Sequence, residues 1–142
     1  MNEQTQPHSH DHGRDQADLT KNQSLVFGAL SRADGPLSAY TILDQLRDDG
    51  LRAPLQVYRA LDKLVETGLV HRLESLNAFV ACRHPGCDSH ETIAFAICET
   101  CGKVAEISDE SLESRLRELA GESGFAINRA VVELRGLCAA CR

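Results

Sequence analysis

The chain has 142 residues, a formal net charge of −6 at pH 7, and 42% hydrophobic residues. This length suits one ordinary domain or two very small ones. No apolar run approaches the length that spans a bilayer, so we expect no membrane partner. The start of the chain, MNEQTQPHSHDHGRDQ, is polar and lacks the features of a signal peptide. With six cysteines, this start leads us to expect the reducing cytoplasm.

The acidic charge is spread unevenly along the chain. Residues 14–75 hold eight bases and nine acids, whereas residues 76–142 hold seven bases and ten acids. A domain can bind DNA without net positive charge if its bases converge on one face. DNA therefore stays a candidate partner, with modest non-specific affinity and dependence on dimerisation.

The first 18 residues are predicted to be a disordered tail that contains His8, His10 and His12. Three short helices should follow, in residues 19–68. Thr20 opens a capping-box pattern, Ser38 is a typical N-cap, and Pro54 fits the first turn of a helix.

Two strand-like runs, Leu69–Leu73 and Ala78–Cys82, come next with a turn between them. Three helices followed by a β-hairpin predict a winged helix over residues 19–83, in which the second and third helices form the helix-turn-helix. Residues 84–91 are interpreted as a linker.

The remaining residues, 92–142, predict a β-β-α-β module that serves dimerisation. Strands are expected at Thr92–Cys98 and Lys103–Ile107, then a helix capped by Ser108, then a long strand at Phe125–Leu134. The predicted fold class is thus α+β, with an N-terminal winged helix-turn-helix and a small α/β dimerisation domain.

Two Cys-x-x-Cys pairs in this second module predict a structural metal site. Cys98 and Cys101 form the first pair, and Cys138 and Cys141 form the second. Four thiolates in a tetrahedron are a typical structural Zn²⁺ site. A disulfide framework is typical of small secreted proteins, and a thioredoxin-like pair needs a Cys-x-x-Cys at the start of a helix after a strand, so both alternatives fit less well.

Several segments together resemble the ferric uptake regulator family of bacterial metal-sensing repressors. They are Val57-Tyr58-Arg59-Ala60-Leu61-Asp62-Lys63-Leu64, Gly68-Leu69-Val70 and Cys98-Glu-Thr-Cys101-Gly102-Lys103-Val104. Ser38-Ala-Tyr40, Pro54-Leu-Gln-Val-Tyr58 and the ending Gly136-Leu-Cys138-Ala-Ala-Cys141 are similar to the zinc uptake regulator branch. The His-rich run that precedes the first Cys-x-x-Cys in iron and peroxide sensors is missing here.

The resemblance implies a regulatory zinc site made of His71, Cys82, His90 and Glu106. His84 and Cys87 remain alternatives for the ligand from the linker. One thiolate, two imidazoles and one carboxylate are a borderline-soft, tetrahedral set that suits zinc. A thiolate disfavours Mn²⁺ and Fe²⁺, which prefer oxygen and nitrogen ligands. We therefore expect two zinc ions per chain.

Five residues are candidates for DNA contact. Arg59 on the predicted recognition helix could bind guanine through both of its terminal nitrogens. Tyr58 could contact a thymine methyl or a phosphate, with partial core packing as its alternative role, and Tyr40 resembles a further DNA-facing tyrosine of the family. Arg52 and Lys63 are expected to touch phosphates, which position the protein without specifying sequence.

The implied function is a homodimeric repressor that binds operator DNA when zinc fills the regulatory site and so controls zinc-uptake genes. An iron-sensing or other metal-sensing repressor of the same family is the alternative. An enzyme is not expected, because no catalytic Ser-His-Asp arrangement, phosphate-binding glycine loop or paired-carboxylate motif is visible. No small organic ligand is expected either.

Overall fold

The computed structural model describes residues 18–83, 92–128 and 130–142, and its elements confirm the predicted α+β class. The predicted tail and linker lie outside these residues, apart from Asp18. The helices are α1 (Lys21–Arg32), α2 (Ala39–Leu46), α3 (Pro54–Glu66) and α4 (Glu110–Glu122), and the strands are β1 (Val70–Leu73), β2 (Ala78–Ala81), β3 (Thr92–Cys98), β4 (Val104–Ile107) and β5 (Ala130–Gly136). Within the described ranges, no helix is both long and apolar enough to cross a bilayer.

The first three helices begin where their capping residues predict. The Thr20 hydroxyl accepts the N–H of Gln23 at 3.2 Å, and the Gln23 side chain accepts the N–H of Thr20 at 3.2 Å. The Ser38 hydroxyl accepts the N–H of Thr41 at 3.2 Å. Pro54 lies in the first turn of α3, where its missing N–H costs no hydrogen bond. These local bonds confirm the predicted starts.

One apolar core joins α1, α2, α3 and one face of the β1–β2 hairpin, here called the wing. Along the helices, the buried positions recur at about every third or fourth residue. The buried side chains of this core, from the helices, the wing and the segment before α3, are Val26, Ala29, Leu30, Ala39, Ile42, Leu43, Leu46, Leu51, Val57, Ala60, Leu61, Leu64, Val70, Phe79 and Ala81. The segment between α1 and α2 pairs with the wing, because Leu37 and Phe79 exchange two backbone hydrogen bonds of 3.0 and 2.8 Å. This arrangement is a winged helix.

The opposite face of the wing packs against the second module. Side chains alternate between the faces of a strand, so Val70 and Leu73 point in opposite directions. Leu73 belongs to a second buried cluster with Phe95 and Ile97 of β3, against which Val80 and Val104 also pack. The wing therefore lies between two apolar clusters, with both faces covered.

The second module is a three-stranded sheet with the order β4-β3-β5, in which β3 is antiparallel to β4 and parallel to β5. Two sequence expectations were wrong in detail. Asp109, not Ser108, caps α4, because its carboxylate accepts the N–H groups of Ser111 at 2.8 Å and Leu112 at 3.4 Å. The last strand begins at Ala130 rather than Phe125, since the Phe125 N–H closes the end of α4 on the carbonyl of Ala120.

Candidate metal centres and nucleic-acid interface

The parallel pairing of β3 and β5 brings the two cysteine pairs together. Cys98, the last residue of β3, lies opposite Gly136 at the end of β5, so the chain after β5 delivers Cys138 and Cys141 beside it. The sulfurs of Cys98, Cys101, Cys138 and Cys141 all lie within 4.8 Å of one another, and all four cysteines are free of disulfides.

The spacing of these sulfurs fits a tetrahedral zinc ion. Cys101 Sγ and Cys138 Sγ are 3.8 Å apart. A tetrahedron with zinc–sulfur bonds of about 2.3 Å has edges of about 3.8 Å. The four sulfurs could therefore hold zinc with little rearrangement.

Hydrogen bonds prepare part of this cluster for the thiolate form. The backbone N–H groups of Cys101 and Cys138 donate to Cys98 Sγ at 3.5 and 3.4 Å. These bonds lower the pKa of Cys98 to about 6. The neighbouring sulfurs of Cys138 and Cys98 raise the pKa of Cys141 to about 12. Four sulfurs this close ionise together only beside a strongly charged cation, which is the chemistry that a divalent metal supplies.

A second cluster joins the wing to the other module. The potential ligand atoms of His71, Cys82 and Glu106 lie within 4.8 Å of one another. His71 lies on β1 and is only 4% exposed, and its Nε2 is 3.8 Å from Glu106 Oε1. The His71 ring also packs 5.3 Å from the ring of Phe95, which fixes its direction.

The carboxylate of Glu106 is oriented by the residue that follows Cys82. The backbone N–H of Arg83 donates to both oxygens of Glu106, each at 3.2 Å. The Arg83 guanidinium reaches the carbonyl of Ser31 at 3.1 Å, at the end of α1. Arg83 thus links both modules at this cluster. Such outer contacts hold a metal ligand in its binding direction.

Cys82 follows β2 and its N–H donates to the Leu69 carbonyl at 2.8 Å. It is disulfide-bonded in the structure, so a ligand role belongs to its reduced thiolate form. The remaining predicted ligands, His90 and its alternatives His84 and Cys87, lie outside the described residues.

The predicted DNA-contacting side chains lie on helices α2 and α3 or just before them. Tyr40 is 63% exposed at the start of α2, and Arg52, Arg59 and Lys63 are also exposed. Tyr58 differs, because it is half-buried and packs against the first core. Its alternative role of partial core packing is therefore present in the structure.

Sequence reasoning missed three residues at these surfaces. Leu55 is 57% exposed in the first turn of α3, where it could contact a thymine methyl; a leucine in an amphipathic helix is ordinarily assigned to the core. Arg83 and Glu133 connect the two modules through long-range hydrogen bonds. No local pattern distinguishes them from surface charges.

The chain matches known proteins over most of its length. The model of the ferric uptake regulator family matches residues 16–135. The zinc uptake regulation protein of Escherichia coli strain K12 is 44% identical over 124 residues, which cover 87% of this chain and 72% of that protein.

Two solved structures of similar proteins extend the match to the fold. The holo form of XcZur has a TM-score of 0.79 and 41% identity, covering 86% of this chain and 84% of that chain. A zinc uptake regulator complexed with zinc and DNA has a TM-score of 0.78 and 43% identity, covering 86% and 81%. The chain belongs to the ferric uptake regulator family, and within it to the zinc uptake regulators.

Proposed function

We propose that this protein is a zinc-responsive transcriptional repressor that binds operator DNA as a dimer and controls zinc-uptake genes. It acts in the cytoplasm and carries two zinc ions per chain, one structural and one regulatory. The proposal includes no catalytic step and no small organic ligand. The observation that carries it is the convergence of His71 and Cys82, at the wing, with Glu106 of the second module.

In this proposal the four cysteines hold the structural zinc. The ion joins the end of β3 to the end of the chain, and thereby stabilises a module with few buried apolar residues of its own. Binding free energy at such a site is folding free energy, because the unfolded chain has no preformed tetrahedron.

The second cluster holds the regulatory zinc. His71, Cys82 and Glu106 supply three ligands, and His90 supplies the fourth, with His84 or Cys87 as its alternatives. The thiolate favours zinc over iron or manganese. This donor set supports zinc as the effector over the iron-sensing alternative.

Regulation follows from where these ligands lie. The winged helix (residues 19–83) and the dimerisation domain (residues 92–142) are joined by the linker 84–91, and a metal bound across them fixes their relative angle. In a dimer that angle sets the spacing of the two α3 helices. Only one spacing matches half-sites about one DNA turn apart, so zinc shifts the population towards the DNA-binding state.

The surface of the second module supports the dimer. None of the residues of α4 is buried among the described parts of the chain, although Leu112, Leu116 and Leu119 repeat at helical spacing. β5 lies at the edge of its sheet. A second copy of the chain would cover this apolar helix and pair with that edge.

DNA contact is assigned to α3 and the residues around it. Arg59 reads a guanine, Tyr40 and Tyr58 make further contacts, and Arg52 and Lys63 bind phosphates. Arg52, Leu55 and Arg59 are exposed, and Leu55 and Arg59, four residues apart, lie on the same face of the first half of α3. This is the half of a recognition helix that reaches base edges.

The decisive experiment is a zinc titration of operator binding by Cys82→Ser under reducing conditions. The variant should keep its dimer, lose one zinc per chain and lose zinc-stimulated DNA binding. Glu106→Ala should fail less severely, because water can replace a carboxylate, and Glu122→Ala is the control for loss of an exposed carboxylate. A Cys82→Ser curve that overlays the parent would refute the regulatory site. Comparing His90→Ala with His84→Ala and Cys87→Ser identifies the fourth ligand.

A further inference from the structure

A second contact joins the wing to the other module, at the turn of the hairpin rather than at its metal cluster. Glu133 of β5 accepts the backbone N–H of Glu74 at 2.7 Å through Oε1 and the N–H of Ser75 at 3.1 Å through Oε2. These residues open the 3-10 turn Glu74–Leu76 between β1 and β2. We call this contact the Glu133 clamp.

The clamp satisfies groups that the turn itself leaves open. The first N–H groups of a helical turn have no partner inside it. Leu73 precedes the turn and provides no side-chain cap. The carboxylate of Glu133 therefore acts as the missing cap, supplied from another module. Burial works to raise the pKa of Glu133, but hydrogen bonds from Ser75 and Glu74 outweigh it and hold the pKa below its ordinary value.

The register of the sheet explains why the clamp and the metal cluster act on the same hairpin. Phe95 of β3 pairs with Glu106 of β4 on one side and with Glu133 of β5 on the other. Directly paired residues share one face of a sheet. One row across the sheet therefore presents two carboxylates and a phenylalanine to the wing. Glu106 meets His71 and the Arg83 N–H, while Glu133 meets the turn.

The two contacts differ in what they require. Ligation at Glu106 needs a metal ion, whereas the Glu133 clamp consists of charge-assisted hydrogen bonds within the protein. Two separated contacts restrict the rotation of a rigid body more than one contact does. The wing is also continuous with α3 through residues 67–69, so its orientation sets that of the recognition helix.

We propose that Glu133 is a positioning residue for operator binding, which holds the turn of the wing so that zinc closes the modules at the DNA-binding angle. This inference rests on the proposed function. When the clamp is broken, zinc at Glu106 and His71 and the apolar cluster around Leu73 still hold the strands of the wing, but the turn Glu74–Leu76 loses its hydrogen bonds to β5. The closed state is then less populated at every zinc concentration, and operator affinity falls in proportion.

The test uses full-length variants that break the clamp from either side. Glu133→Ala removes both acceptors and Glu133→Gln leaves one. Glu74→Pro removes one of the two N–H donors; proline is tolerated at the first position of a helical turn, and the extended Leu73 suits the residue before proline. Glu74→Gln is the matched control. It removes the side-chain carboxylate of Glu74, as Glu74→Pro also does, but it keeps the backbone N–H that donates to Glu133.

Three quantities are measured at saturating zinc chloride: zinc per chain, amide hydrogen exchange at the turn, and affinity for a duplex that the zinc-loaded parent selects from a randomised library. Glu133→Ala and Glu74→Pro should keep the parent's zinc content. Both should weaken duplex binding about tenfold, the scale of losing hydrogen bonds to a charged group. Amide exchange at Ser75 should accelerate in both, Glu133→Gln should be intermediate, and Glu74→Gln should match the parent.

The inference is overturned if Glu133→Ala or Glu74→Pro binds the duplex as tightly as the parent, or if affinity falls while exchange at Ser75 is unchanged. If Glu133→Ala does not fold, Glu74→Pro and Glu133→Gln decide the matter. A parent chain that selects no duplex with zinc refutes the proposed function instead. The exchange measurement still reports in that case whether the clamp exists.

Discussion

Helices α3 and α4 each have 13 residues, yet they meet their surroundings differently. α3 buries Val57, Ala60, Leu61 and Leu64 in the first core, whereas no residue of α4 is buried among the described residues. The same contrast holds for the regions around them. The winged helix has a core shared by three helices and a hairpin, while the second module's buried cluster includes Leu73 from the wing.

The two regions gain their stability from different sources. Burial of apolar area stabilises the winged helix from within. In our proposal, the second module depends on supports outside its own core: zinc held by the four cysteines, the wing face and a second copy of the chain. Substitutions should therefore act on one region through packing and on the other through metal binding and assembly.

The largest expected effect is that Cys98→Ser unfolds one region and leaves the other folded. Cys98→Ser should unfold the second module and abolish the dimer, because a structural zinc site of this type contributes on the order of 10 kcal/mol. Helices α1–α3 should stay folded, since their core is independent of the cysteines. Circular dichroism, sedimentation and amide exchange measure the two regions separately. A Cys98→Ser dimer with unchanged thermal unfolding would contradict the structural assignment.

Alanine substitutions of one leucine in α3 and one in α4 should have smaller effects on folding free energy, and those effects should differ between the two helices. Leu61→Ala in α3 should cost about 2–5 kcal/mol of folding free energy, because it leaves a cavity in a close-packed core. Leu119 is 44% exposed in α4, so Leu119→Ala should cost the isolated chain no more than about 0.5 kcal/mol. It should instead weaken the dimer. Denaturant unfolding and sedimentation equilibrium together measure both effects, and equal folding costs would break the comparison.

Arg59→Ala changes only the surface of the first region. It should reduce discrimination between the operator and a random duplex by about 1–3 kcal/mol, the value of a good bidentate contact to a base. Its thermal unfolding should match the parent, since Arg59 is exposed. Fluorescence anisotropy with the two duplexes tests this. Full discrimination by Arg59→Ala would mean that α3 does not read the bases there.

Lys63→Ala should have the smallest effect. Lys63 Nζ lies 3.5 Å from Glu66 Oε1, and both side chains are more than half exposed. The substitution should weaken binding to all duplexes alike and reduce the salt dependence of log K by about 1 in slope. Affinities measured at several salt concentrations check this. A loss confined to the operator would instead assign Lys63 to base recognition.

Much of the local structure could be predicted because its causes lie within a few residues. Thr20, Ser38 and Pro54 start their helices through bonds or geometry that involve the next turn only. Each Cys-x-x-Cys spacing predicts that the two sulfurs of that pair approach one point, because two intervening residues turn both toward it. The meeting of the two pairs follows from the pairing of β3 with β5. Errors came where neighbouring candidates compete, as when Asp109 rather than Ser108 capped α4.

The sequence by itself determined the helices of the winged domain, the hairpin and the cysteine pairs, since short-range periodicity and spacing specify them. Only the tertiary structure decided that both faces of the wing are covered, and that His71, Cys82 and Glu106 meet. The Glu133 clamp joins residues 58 and 59 positions apart. Such contacts follow from the register of β3 with β4 and β5, and no hairpin turn fixes the register of the parallel pair β3 and β5, which are far apart in the chain.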